Sequence, residues 1–136
     1  MVAAAACAIL AALGAVHLYW AAGGSAGRDG AIPSRNGKAV ISPGRAGTAL
    51  VGIALLVAAA LVAAAAALFP TSMSPVLLKG AAGLLAFVFA ARAIGDFNYV
   101  GFFKRVKGSR FAKRDTYLYS PLCVVLAALI GAVALA

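Results

Sequence analysis

The ionisable side chains of His17, Arg92 and Asp96 fall inside or at the end of long apolar runs. Such residues are costly in hydrocarbon and face a bundle interior or a cavity. His17 and Arg92 each stand about five residues from one end of their runs, roughly 7 Å deep by helix rise. Asp96 follows Arg92 by one helical turn and shares its face. Trp20, Tyr99 and Tyr117 border the same level. Three readings fit this cluster. Arg92 snorkels to headgroups with Asp96 as its partner, while His17 bonds a backbone carbonyl. Alternatively, the six residues line a polar pocket for a small ligand or lipid headgroup. A base with an orienting carboxylate is the third, but no nucleophile stands at a useful spacing, so no catalytic residue is assigned. One His, no Glu and no Cys pair give no metal-ligand spacing, and no cofactor is expected.

The elements that must carry these residues are four apolar runs, at about 2–22, 48–69, 76–97 and 118–136. The 136 residues are 65% apolar and only 11% charged, with a mean hydropathy of +1.03. That leaves too little polar surface for a water-soluble globule. The expected fold is all-α and integral to a membrane: one domain, residues 1–136, built as a four-helix transmembrane bundle. No Lys or Arg precedes Arg28, so the first run reads as a retained helix rather than a cleaved signal. Ser74-Pro75 and Ser120-Pro121 look like the starts of the third and fourth helices. From Pro121 the last helix reaches only ~24 Å, short of the ~30 Å hydrocarbon core, so it must recruit Leu118 and Tyr119.

Orientation follows from the charges. Ten of the twelve basic residues lie in the first and third connections, which share a side. That side should be cytoplasmic, with both termini outside. Trp20 and the four tyrosines fall at the same boundary. Cys7 and Cys123 lie at opposite depths, ~20 Å apart by helix rise, too far for a disulfide.

In the third connection Tyr99, Phe102, Phe103 and Val106 share one helical face, with Lys104, Arg105 and Lys107 off it. This predicts a short interfacial amphipathic helix, ended by Gly108. Lys104, Arg105, Lys107, Arg110, Lys113 and Arg114 are the expected contacts to anionic headgroups. Nucleic acid is not an expected partner, because the loop is short and tethered. Asp115 reads as a surface charge that offsets Arg114 or caps the approach to helix four. The first connection is Gly-rich without a phosphate-loop spacing. Asn36-Gly37 could turn a hairpin there, although Pro33 weakens one arm.

Three strings are distinctive: His17-Leu-Tyr-Trp-Ala-Ala-Gly-Gly, Gly95-Asp-Phe-Asn-Tyr-Val-Gly-Phe-Phe-Lys-Arg, and Asp115-Thr-Tyr-Leu-Tyr-Ser-Pro-Leu-Cys. Together they resemble a family of small bacterial membrane proteins known as a domain of unknown function (family 3995). The resemblance spans nearly the whole chain. It implies a four-helix membrane protein and supplies no activity or catalytic residue. The leading expectation is a non-catalytic membrane component that packs with itself or with other membrane proteins. The alternative is a small-molecule or lipid-binding protein, or transporter, with its polar site at the cytoplasmic face.

Overall fold

The structure, a computed structural model, describes residues 1–35, 38–40 and 44–136, with backbone only for residues 29, 34 and 35. Helix α1 spans Val2–Ala21, dense in Ala and Leu, both strong helix formers. The backbone N–H groups of Ala22, Gly23 and Gly24 tie off its last carbonyls. Gly23, at φ +112°, takes the chain out of the helix. The first connection then makes a 3₁₀ turn, Arg28–Gly30. Two short strands follow, β1 (Ser34–Arg35) and β2 (Lys38–Ala39), antiparallel with Ser34 opposite Ala39. The arms of the expected hairpin are therefore paired, and its Asn36-Gly37 turn lies outside the described residues.

Helix α2 runs Arg45–Ala65 and α3 runs Pro75–Ile94. Pro75 occupies the first turn of α3, where its missing N–H has no intrahelical partner to lose. Ser74 holds the cap position, but its side chain makes no capping bond.

The fourth span differs from expectation. Helix α4, Arg110–Arg114, starts at Ser109, whose hydroxyl accepts from the Ala112 N–H at 3.0 Å. It continues through a π-helical turn, Asp115–Tyr119, into α5, Ser120–Leu135. Ser120-Pro121 is thus no start. Pro121 has no N–H for the carbonyl four residues back and its ring crowds that carbonyl, so the turn before it widens. The whole span covers 26 residues, Arg110–Leu135, about 39 Å of helix. That removes the expected shortfall in length. The short helix expected ahead of the fourth span is α4, continuous with that span rather than separate from it. It lies later than Tyr99–Lys107, which folds as a loop.

All four spans are long and apolar enough to cross a membrane. Large side chains such as Leu50, Val57, Val76, Leu84 and Phe87 are exposed around the outside. A surface this apolar suits lipid, not water. Inside, Ala3, Ala6 and Leu10 meet Ala58, Val62, Ala82, Leu126, Ile130 and Val133 in one core. Helix α1 packs chiefly on α2, and α3 chiefly on α5, which leaves α1 and α3 across the diagonal.

Glycine sets the α1–α2 distance. A Cβ on Gly14 would lie 2.9 Å from the Leu56 side chain and 3.0 Å from the Gly52 carbonyl. One on Gly52 would lie 3.0 Å from Leu18. Two backbones approach this closely only where side chains are absent. An open cleft of about 1000 Å³ lies at the far end, lined among others by Met1, Phe69, Met73, Lys79 and Ala136. Residues near both ends of the chain and the α2–α3 turn therefore gather opposite the two basic connections. Cys7 and Cys123 are both free.

Candidate functional site

Asp115 is the centre of the polar structure. It lies in the π turn with no exposed surface. Its carboxylate accepts from Arg92 Nη2 at 2.9 Å, Lys104 Nζ at 2.9 Å, the Gly101 backbone N–H at 2.7 Å and Ser120 Oγ at 3.3 Å. Lys104 is buried as well, at 3% exposure. Its ammonium also donates to the Gly101 carbonyl at 2.8 Å and Thr116 Oγ1 at 2.7 Å. Three protons on that nitrogen thus meet three acceptors. Arg92 is one third exposed, and its second terminal nitrogen, Nη1, is buried without an acceptor among the described residues.

This geometry corrects three expectations. Arg92 pairs with Asp115, not with Asp96. Lys104 faces the protein interior, not headgroups. Asp115 is a buried counter-ion, not a surface charge beside Arg114. The cause is the loop between α3 and α4, which folds back over the bundle instead of lying flat as a helix.

Local sequence explains that loop. Asp96 Oδ1 accepts from the backbone N–H groups of Asn98, Tyr99 and Val100 at 2.8–3.0 Å. Carboxylates favour such turns because they substitute for a backbone acceptor. Slight burial pushes the Asp96 carboxyl up, but the N–H donors together outweigh it and hold the group below its ordinary value. Gly95 and Gly101, at φ +96° and +88°, stack backbone against backbone. A Cβ on Gly95 would collide with the Val100 carbonyl, and one on Gly101 with the Ile94 carbonyl. Phe102 N–H then bonds the Ala93 carbonyl at 2.9 Å, closing the loop on the end of α3. Gly101 and Lys104 are thereby brought to Asp115.

His17 and Trp20 form a separate group, since α1 and α3 are diagonal. His17 Nδ1 lies 2.8 Å from the Leu13 carbonyl, the backbone bond expected for it. Its ring meets Trp20 edge-on, 5.2 Å between centroids. Trp20 Nε1 donates to the Ala26 carbonyl at 2.7 Å. Tyr99 stays with the Asp96 loop, and Tyr117 is 83% exposed, facing outward. The six candidate residues therefore do not share one pocket. Arg105, Lys107, Arg110, Lys113 and Arg114 are exposed at the basic end. Exposed Phe97 and Phe103 lie among them, 6.5 Å apart.

The two connections also touch each other. Arg114 Nη1 donates to the Gly27 carbonyl at 3.4 Å, and the Tyr119 hydroxyl to the Gly30 carbonyl at 3.1 Å. Among the described residues no three of His, Cys, Asp and Glu come together as metal ligands. Chemically, the Asp115 hub is a closed ion network. Its carboxylate and its ammonium are fully engaged, Arg92 Nη1 is left over, and among the described residues no nucleophile is aligned on a base.

A family model described as "Protein of unknown function (DUF3995)" matches residues 10–130. No curated protein and no solved structure matches the chain.

Proposed function

We propose that this chain, which belongs to the DUF3995 family of proteins of unknown function, is a non-catalytic component of a bacterial inner membrane. It packs there with itself or with other membrane proteins. One observation carries the reading: the buried carboxylate, Asp115, is fully committed to Arg92, Lys104, Gly101 and Ser120. A group so engaged is unavailable as an acid or base, whereas a positioned general acid or base must reach a reacting atom. The network holds the α3–α4 loop against the bundle, and Arg114 and Tyr119 tie the first connection to the fourth span. The exposed cations and the Phe97–Phe103 knuckle then face anionic headgroups on the cytoplasmic side.

Two measurements test this. A periplasmic reporter fused after Ala136 is active and a cytoplasmic one silent. The reverse result inverts the membrane orientation and removes the headgroup argument. Arg92→Ala lowers the yield of folded, monodisperse protein, which size-exclusion chromatography reads. Unchanged yield together with a lost enzymatic turnover would refute the non-catalytic reading. A second reading, a small-ligand site at the same face, draws support from a cavity beside His17 and Trp20.

A further inference from the structure

A half-enclosed cavity of about 140 Å³ lies between the end of α1, the 3₁₀ turn and the first turn of α2. His17, Trp20, Arg28, Ile32, Thr48 and Val51 form most of its wall. The volume is close to that of an engineered ~150 Å³ cavity that takes benzene, so about six heavy atoms fit inside and a somewhat larger ligand projects through the open side.

Hydrogen bonds already made fix what this wall can offer. A carbonyl carries no proton, so the Leu13 bond places the proton of the neutral His17 ring on Nδ1. Nε2 is left as a bare lone pair. Thr48 gives its one hydroxyl proton to the Gly44 carbonyl at 3.1 Å and is also left as an acceptor. The Trp20 N–H is spent on Ala26, which leaves the indole face. Arg28 brings donors only. The residues that carry two acceptors, an aromatic face and a guanidinium thus line one small volume. A simple anion would meet two opposing lone pairs. A simple amine would meet the guanidinium.

We propose that this cavity seats a zwitterion bearing a primary ammonium and a phosphate, the chemistry of ethanolamine phosphate. The ammonium donates to His17 Nε2 and Thr48 Oγ1 and lies against the Trp20 ring. The phosphate pairs with the Arg28 guanidinium, whose planar fork matches it. The source is either a phospholipid headgroup or the free molecule. This deepens the ligand-site reading above, and its first test depends on neither membrane orientation nor oligomeric state.

Trp20 is the only tryptophan, so its emission reports the cavity directly. The full chain in a maltoside detergent, stripped of phospholipid, is titrated with ethanolamine phosphate, phosphocholine and inorganic phosphate. Ethanolamine phosphate gives a saturable emission change at a concentration at least ~10-fold lower than the other two, equivalent to about 1.4 kcal/mol. Phosphocholine is weaker because its quaternary ammonium has no proton to donate. Arg28→Gln raises the half-saturation point at least tenfold, and His17→Phe abolishes the preference over phosphocholine, with circular dichroism confirming retained helix. Phosphate or phosphocholine binding as tightly as ethanolamine phosphate, or no saturable change with any of them, overturns the proposal. The wild-type titrations alone decide it if a variant fails to fold. Nanodiscs separate the sources. If phosphatidylethanolamine discs suppress the response to free ethanolamine phosphate and phosphatidylglycerol discs keep it, the seat belongs to the lipid. A response in both assigns the free molecule.

Discussion

Replacing Asp115 by Asn tests the hub most directly. The change keeps the volume and removes the charge. Lys104 is then a cation with a 2% exposed side chain and no counter-ion, and Arg92 loses its partner too. The new amide also brings two donors where only donors now point inward. Breaking a buried pair on one side costs about 3–5 kcal/mol. The Arg92 arm deserves a discount, since a third of that side chain reaches solvent. The Lys104 arm alone therefore sets a floor of about 3 kcal/mol. At roughly 3–4 °C per kcal/mol for a chain of this size, the melting temperature drops by about 10 °C. Thermal unfolding of the detergent-solubilised protein, followed by circular dichroism, measures it. Lys104→Met combined with Asp115→Leu recovers at least half of the loss, because it removes both buried charges together. A shift below about 3 °C for Asp115→Asn, or a double variant worse than either single one, would refute the reasoning.

Gly95→Ala places a Cβ against the Val100 carbonyl at a backbone angle that L-residues avoid, and should cost about 3 kcal/mol or more. Its readout is protease cleavage between residues 95 and 109, faster in the variant than in the wild type. Gly14→Val forces α1 and α2 apart and lowers the melting temperature by at least about 5 °C, whereas Gly80→Val, with open space around it, shifts it little. Acid should loosen the α3–α4 loop through Asp96. Its folded carboxyl lies below the ordinary value, so its contribution is complete above the usual carboxylate range and fades as pH falls through the lowered value. Amide exchange at Asn98, Tyr99 and Val100, compared with Asp96→Asn at each pH, isolates this effect. The variant should lack it.

The spans were readable because composition and length alone impose them. Every run expected to cross the membrane does form a helix, with ends displaced by a few residues in the first three. Ser120-Pro121 imitates a helix beginning, whereas the fourth span starts ten residues earlier, at Arg110. Ser120 serves Asp115 instead, and the proline widens a continuing helix. The polar site was harder. A spacing of four along one helix favoured Arg92 with Asp96, yet the partner comes from 23 residues away. Helical periodicity carries no information about a loop that folds back. The signal that was present is the pair of glycines at 95 and 101 around Asp-x-Asn, a turn composition that argues against an amphipathic helix starting at Tyr99. One of the three readings puts the lone histidine on a backbone carbonyl, and Leu13 supplies it. Its depth matched that of Arg92, but depth does not say which helices are neighbours.

Chain order gives the hub a consequence for synthesis. Arg92 and Lys104 leave the ribosome 23 and 11 residues before Asp115. Until Asp115 is made, the nascent protein carries two cations without the carboxylate that pairs them. They must stay near water, which keeps the loop between α3 and α4 open. The arrival of Asp115 gives Arg92 its partner and lets Lys104 turn inward, and the loop can close over the bundle. A chain truncated before that residue is therefore chemically marked as incomplete, with a lysine left outside that the whole protein conceals.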